Sequence, residues 1–318
     1  MRIFVHTNYN FIKWRWHALI LSLVVIWAGV ATIFLKGGIP LGIEFTGGTA
    51  IVLKFAQPVG EDAVRHAVDP ISKEAVVQQF GAPELRQIVV RLPLMQGQEH
   101  GESLEQDAKK VENAIRGANL GAFEIGSKDL IGPTMGKDYQ SKGIWATVAA
   151  LGGMLVYVAF RFRFTFAVGA VVAAFHDILI TLVLLTWMGY DLSLNVIAGL
   201  LTITGYSVND TIVVFDRVRE NQRQMRREPL DEIVNKSVNQ TLGRTMITSG
   251  TTLLAVLALY VFGGEVLRGF AFTMIVGIVT GTYSTVFIAA AIAIILSRRA
   301  EPTAVQGRQV QAKTRKAQ

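Results

Sequence analysis

Four stretches of this chain run for 18 or more residues without a charge: Ala18 to Leu35, Gly143 to Phe160, Thr245 to Gly264 and Gly269 to Ser297. As a helix, each is long enough to cross a hydrocarbon core roughly 30 Å thick. Two more, Phe164 to Tyr190 and Leu192 to Phe215, are as apolar but carry a few ionisable side chains. Six spanning helices are expected. Charged residues make up 17% of the 318, against about 25% in an ordinary soluble domain. That depletion excludes a soluble cytosolic enzyme.

Orientation follows from lysine and arginine. Arg2, Lys13 and Arg15 precede the first span; Arg161 and Arg163 separate spans two and three; seven more lie between Arg217 and Arg244; six follow the last span. These 18 of 31 basic residues share one side of a chain that crosses six times. The positive-inside rule makes that side, and both termini, cytoplasmic. The net charge of +7 is thereby a topological signal, and no nucleic-acid partner is expected. The first span is read as an uncleaved anchor: it is long for a signal peptide, and Gly29-Val30-Ala31 is a weak cleavage site. There are no cysteines, which removes disulfides, zinc–thiolate sites and thiol catalysis. The expected layout is an N-terminus and first span over 1–36, an outer domain over 37–140 and five spans over 141–297. A loop near 216–243 interrupts those spans, and a disordered basic tail covers 298–318.

The outer segment has a legible pattern. Thr49–Phe55 alternates as a strand, and Val59–Val68 reads as a helix with Glu61 and Asp62 in its first turn. Ala75–Phe80 and Gln87–Leu92 are short β-rich runs, Glu102–Arg116 has helical spacing, and Ala122–Ile131 is extended. The order βαββαβ predicts a ferredoxin-like α+β unit. Two glycine clusters bracket it. One is Gly42 to Gly48, holding Gly42, Glu44, Gly47 and Gly48; the other is Ile131 to Gly136, holding Gly132, Pro133 and Gly136. Neither ends in Lys-Ser/Thr or opens a soluble helix, so tight junction geometry is preferred to phosphate binding. In the inner loop, Asp216 to Asn221 continue span four and Pro229 breaks the helix. Leu230, Ile233, Val234, Val238 and Leu242 then predict a separate amphipathic surface helix.

An ionisable residue inside a span costs about 2.5–3.5 kcal/mol on insertion scales, so each needs a reason. Asp210 lies seven residues before Arg217, and Arg244 eight residues after Lys236. Both therefore sit on the order of 10–12 Å inside the same boundary, on consecutive antiparallel spans. Thr202, Thr204, Ser207 and Asn209 precede the acid, and Thr248, Ser249, Thr251 and Thr252 follow the base. Proton conduction is the natural use of such a set; a structural ion pair, or a snorkelling Arg244, is the alternative. His176 and Asp177 sit mid-span, and adjacent helical residues point about 100° apart. They should not face one neighbour together, and at least one should meet a polar group of another span. The remaining histidines are scattered, so no metal site is expected. Thr273, Gly277, Gly281 and Ser284 form a small-residue stripe suited to close helix packing.

Five motifs resemble one family. They are GIEFTGG, IGPTMG, GYSVNDTIVVFDRVREN (Gly205 to Asn221), GRTMITSGTTL (Gly243 to Leu253), and FGG followed by GFAFTMIVGIVTGTYST. Together they resemble the SecF members of the SecD/SecF family, from about Gly42 to Ser297. The resemblance implies a polytopic membrane protein forming half of an RND-type bundle, with a periplasmic domain between its first two helices. SecD would supply the other half, with YajC nearby and SecYEG and SecA acting on the same preproteins. It implies use of the proton gradient in late translocation at the bacterial inner membrane, with no enzyme chemistry and no cofactor. By motif, Asp210 takes the place of the family's intramembrane acid and Arg244 that of its basic residue. Glu44 departs from the family's usual Asp and keeps the charge. A small-solute exporter half and a non-conducting assembly scaffold are the competing expectations.

Overall fold

The computed structural model describes residues 7–35, 37–80, 83–94, 101–162 and 164–300. Most of the expected C-terminal tail, from 301 onward, lies outside the described residues. Among the described residues, six helices are long and apolar enough to cross a membrane: Ile12–Leu35, Met135–Arg161, Phe164–Trp187, Leu194–Gln224, Leu230–Phe262 and Leu267–Arg298. In chain order, α1 is Arg15–Leu35 and α2 is a single turn, Ile43–Thr46. A sheet domain follows as β1 Gly48–Phe55, α3 Glu61–Val68, β2 Val76–Gln79, β3 Gln87–Leu92, α4 Gly101–Gly117 and β4 Phe123–Ile131. The remaining spans are α5 Pro133–Arg161, α6 Phe164–Trp187, α7 Leu194–Gln224 and α8 Leu230–Phe262. The last is α9 Gly264–Ser284, continued through a π-helical segment, Thr285–Ala289, into α10 Ala290–Ala300.

The strands form one sheet in the order β2-β3-β1-β4, with every neighbouring pair antiparallel. That is the ferredoxin-like arrangement expected from the βαββαβ order. One face is packed by Ile51, Leu53 and Phe55 of β1 and Val90 and Leu92 of β3, against Val64, Val68, Ala108, Val111 and Ile115 of the two helices. Alternation in a strand ordinarily leaves one face to solvent. Instead Ala50 and Val52 are also buried, with Val89 and Ile43, because that face looks toward the end of the bundle.

The domain is seated on the α6–α7 loop. Leu192 N–H donates to Pro40 O at 2.7 Å, Gly42 N–H to Leu192 O at 2.9 Å, and Gln78 Nε2 to Gly189 O at 3.1 Å. Arg91 of β3 pairs with Asp191. At the junction, Gly47 (φ 71°) and Gly48 (φ 127°) lie in the left-handed region, where a side chain is strained. A Cβ on Gly48 would also sit 2.2 Å from Leu92 O.

The inner loop departs from expectation. No separate surface helix exists: α8 runs unbroken from Leu230. Only 225–229 interrupt α7 and α8, whose extensions form a helical hairpin. Asn221 Nδ2 donates to Ser237 Oγ at 2.8 Å and Gln240 Oε1 at 2.9 Å across it. The apolar spacing read as a bilayer-facing stripe is spent on that hairpin and on the segment before α1. Ile233, Val234 and Val238 share one core with Ile12 and Val218. Asn235 and Asn239 hold the Tyr9–Ile12 backbone through its N–H and C=O groups at 2.9–3.4 Å.

Within the bundle, α7 and α9 lie side by side and parallel. A Cβ on Gly199 would be 2.9 Å from Thr273, one on Gly277 2.4 Å from Ile203, and one on Gly281 3.1 Å from Ser207. Thr211 and Thr285 hydrogen-bond at 2.9 Å. Each contact lies four residues beyond the last on both helices, so one small residue per level lets the backbones approach. Gly277→Ala should therefore destabilise the bundle by about 1–3 kcal/mol, the usual cost of overpacking. Unfolding of the purified protein in detergent measures this. Ile203→Ala in the same chain should recover part of the loss, and no recovery would show that the contact does not set the helix spacing.

Candidate functional site

The residues singled out in the membrane divide into a buried group and an exposed group. Asp210 is 5% exposed. Its Oδ1 accepts a hydrogen bond from Thr245 Oγ1 of α8 at 3.3 Å, and its Oδ2 is buried with no hydrogen-bond partner among the described residues. The depth match between α7 and α8 brings Asp210 to the residue after Arg244 rather than to Arg244 itself. The arginine is exposed, and among the described residues no ion pair joins it to Asp210. It lines a surface groove with Asp216, Glu220 and Gln240.

Adjacent positions on a helix diverge, and the same divergence sorts the neighbours. Asn209 and Thr202 on α7, and Thr248 and Thr251 on α8, are exposed with Arg244. Ser207 and Ser249 are buried; Ser249 Oγ meets Thr282 Oγ1 of α9 at 2.9 Å. The exposed set is a polar face in the membrane-spanning part of the chain, which lipid tails cannot satisfy.

A second buried cluster centres on α6. Asp177 Oδ2 accepts from Ser207 Oγ at 2.6 Å and from Ser284 Oγ at 2.8 Å, while Oδ1 lies 3.0 Å from His176 Nδ1. The His176 ring stacks on Tyr283, with centroids 6.1 Å apart. The Tyr283 hydroxyl donates to Ala18 O at 2.7 Å and lies 3.1 Å from Ser22 Oγ of α1. His176 and Asp177 were expected not to share a neighbour, yet both reach α9. They do so because Tyr283 and Ser284 are themselves consecutive and diverge by the same angle. Sequence reasoning missed Tyr283 and Ser22; a tyrosine inside an apolar span was the available signal.

The glycine clusters sit on the other side of the domain junction. A Cβ on Gly136 would lie 3.1 Å from Gly47 N, and one on Gly42 2.3 Å from Glu44 Oε2, whereas Gly132 meets nothing nearby. Helix α5 starts directly after Gly132 with Pro133 in its first turn. Glu44, Asp129, Asp191 and Arg91 line a cleft of about 740 Å³ between sheet and bundle. Burial pushes the Asp191 carboxyl above the usual carboxylate range, against the opposing pull of Arg91, and raises Glu44 likewise.

These features meet a consistent set of relatives. The profile of the C-terminal part of protein export membrane proteins SecD/SecF matches residues 110–299, and the SecD/SecF GG motif matches residues 32–59. The chain belongs to the SecF branch of the SecD/SecF family. It is 41% identical over 307 residues to the protein translocase subunit SecF of Rhodothermus marinus, covering 94% of this chain and 97% of that one. Identity to the SecF of Escherichia coli O157:H7 is 40%, over 92% and 89% of the two chains. The crystal structure of SecDF from Thermus thermophilus, a translocon-associated membrane protein, superposes with a TM-score of 0.81 at 36% identity. That match covers 92% of this chain and 39% of the SecDF chain, so this SecF-family chain spans well under half of that longer protein.

The carboxyls of the cleft give a pH dependence with a definite sign. A group whose docked-state pKa is raised holds its proton in the docked form at pH values where the free form has lost it. Docking of the sheet on the α6–α7 loop is therefore favoured on the acid side and weakens as pH rises through the raised Asp191 and Glu44 values. Spin labels on Glu124 and Phe262 should give a narrower distance distribution on acidification from neutral. Asp191→Asn should flatten that response; a distribution insensitive to pH in the unmodified chain would refute the effect.

Proposed function

We propose that this translocase subunit works with SecD to convert the proton gradient into late translocation and release of preproteins. In this reading SecYEG and SecA handle the same substrates and YajC lies nearby. The observation that carries it is Asp210: a carboxylate placed inside a span, buried, with one oxygen unpartnered among the described residues and the other on a threonine hydroxyl. A carboxylate kept for structure alone would be saturated with donors, as Asp177 is. One left half-satisfied on a helix can take up and release a proton as its surroundings change. Moving one charge across 100 mV releases about 2.3 kcal/mol, so a few protons per cycle suffice to shift a domain or free a bound chain.

Arg244 enters through the partner. Its exposed face, with Asn209 and Thr248, is the one that SecD helices would cover, and there the guanidinium would bias the charge state of acids on either subunit. The sheet domain, linked through α1 and the glycine junctions, would be the moving part. Exchange of Asp210 for Asn should abolish gradient-dependent export in cells while leaving protein level, SecD co-purification and ATP-driven translocation intact. Asp210→Glu should retain partial function, because a titratable group survives. Full gradient-stimulated export by an assembled Asp210→Asn complex would leave the scaffold reading in its place.

We also propose that the protein lies in the bacterial inner membrane with both termini cytoplasmic and the sheet domain periplasmic, on the strength of the lysine and arginine distribution. Because the chain has no cysteine, single cysteines report orientation cleanly. Glu124→Cys should react with an impermeant maleimide from outside intact spheroplasts, and Arg223→Cys only after lysis. Labelling of both from the same side would reject the topology.

A further inference from the structure

The proton reading uses Asp210 and leaves a second buried titratable pair without a task. Asp177 is 0% exposed and His176 7%. Asp177 Oδ2 takes two hydroxyl hydrogens, from Ser207 and Ser284, and its Oδ1 faces His176 Nδ1. With Asp177 in its carboxylate form, which only accepts, the imidazole hydrogen sits on Nδ1 and the lone pair on Nε2. That Nε2 is buried and has no hydrogen-bond partner among the described residues. The arrangement is a base oriented by an acid whose own position is fixed by two serines, which stabilises the imidazolium once it forms.

We infer that His176 Nε2 is a second proton-binding site inside the membrane, with Asp177 as its fixed counter-ion. The inference rests on the proton-coupled reading and extends it to a group that reading did not need. In the binding step a proton adds to the Nε2 lone pair; the Nδ1–H bond and the Asp177 charge are unchanged, and release is the reverse. The groups that face the pair are few. From α9 comes Tyr283, stacked on the imidazole, with its hydroxyl engaged by Ala18 and Ser22 of α1. From α7 comes Ser207, and from α6 itself Asp177. Asp210, three residues beyond Ser207, is bonded to Thr245 of α8 instead. Among the described residues, Asp177 is thus the one charged group in contact with the histidine.

Protonation makes Nε2 a donor in a place that offers it no acceptor. The packing around the ring must then respond, and Tyr283 links that ring to α1, the helix that leads into the sheet domain. Ser284, the second donor to Asp177, directly precedes the π-helical segment Thr285–Ala289. Such single-turn irregularities are frequent at functional sites. Proton binding at His176 thus has a physical route to both α1 and α9.

The test uses the complex with SecD in lipid nanodiscs, labelled with ¹⁵N-histidine, the His176 signal being assigned by its loss in His176→Gln. Expected is an Nε2 signal of a bare lone pair at alkaline pH that moves to the protonated position on acidification. Asp177→Asn should change the Nδ1 signal, which reports the contact with the carboxylate; an unchanged Nδ1 signal would show that Asp177 does not hold the ring. A hydrogen on Nε2 at every pH, or no titration while the complex stays folded, overturns the inference. In proteoliposomes, His176→Gln should lose gradient-driven export and keep ATP-driven translocation; unchanged gradient-driven export would equally overturn it. Asp210→Asn, run beside it, separates the two ideas. If that variant is silent while His176 titrates and its loss abolishes coupling, the Asp210 relay falls and the histidine site stands. If Asp210→Asn abolishes coupling and His176 does not titrate, the inference alone falls.

Discussion

One buried carboxylate organises the membrane part of this protein. Asp177 is 0% exposed, and its oxygens are served by donors from its own helix, from α7 and from α9. A charge taken out of water persists only where donors meet it with good geometry. Those donors have to arrive together, which fixes the height and rotation of α7 and α9 against α6. The parallel ladder of Gly199, Ile203, Ser207 and Thr211 against Thr273, Gly277, Gly281 and Thr285 is the packing that makes this possible. Ser207 belongs to both: its Cβ occupies the space that Gly281 leaves, and its hydroxyl donates to Asp177.

Asp210 stands three residues further along α7 and has the opposite environment. On the same helix, it faces α8, with one hydroxyl donor and one oxygen without a partner among the described residues. The contrast between two buried acids on neighbouring helices is the clearest division of labour in the molecule. Asp177 has donors on both oxygens from three helices, whereas Asp210 has a single threonine donor among the described residues. Exposed Arg244 beside it faces outward, and a polar surface at that depth is stable only against another protein surface.

The sheet domain is held by a different kind of contact. Main-chain bonds join Pro40 and Gly42 to Leu192, a side chain joins Gln78 to Gly189, and the Arg91–Asp191 pair closes the cleft. These are few polar links around a sizeable cavity, beside a sheet whose own core is complete without them. Such an interface can open without unfolding either part. Its lining sets three carboxyls, Glu44, Asp129 and Asp191, beside two arginines, Arg91 and Arg268.

Much of this was legible in the residues. Six spans follow from runs of uncharged residues because hydrocarbon thickness acts on each segment separately, and the ferredoxin-like order follows from periods of 2 and 3.6 that are local to each element. The stripe through Thr273, Gly277 and Gly281 announced close packing, since only small side chains permit it. Depth was legible too, as a distance along one helix: it brought Asp210 level with the Arg244–Thr245 turn. Rotation was not. Whether Arg244 or Thr245 meets the acid depends on the azimuth of α8, which packing against α7 and α9 decides. The donors to Asp177 stand 30 and 107 residues away along the chain, and nothing local marks them as partners. Likewise the spacing from Leu230 to Leu242 announced an apolar face, but only the folded hairpin determined that this face covers protein rather than lipid.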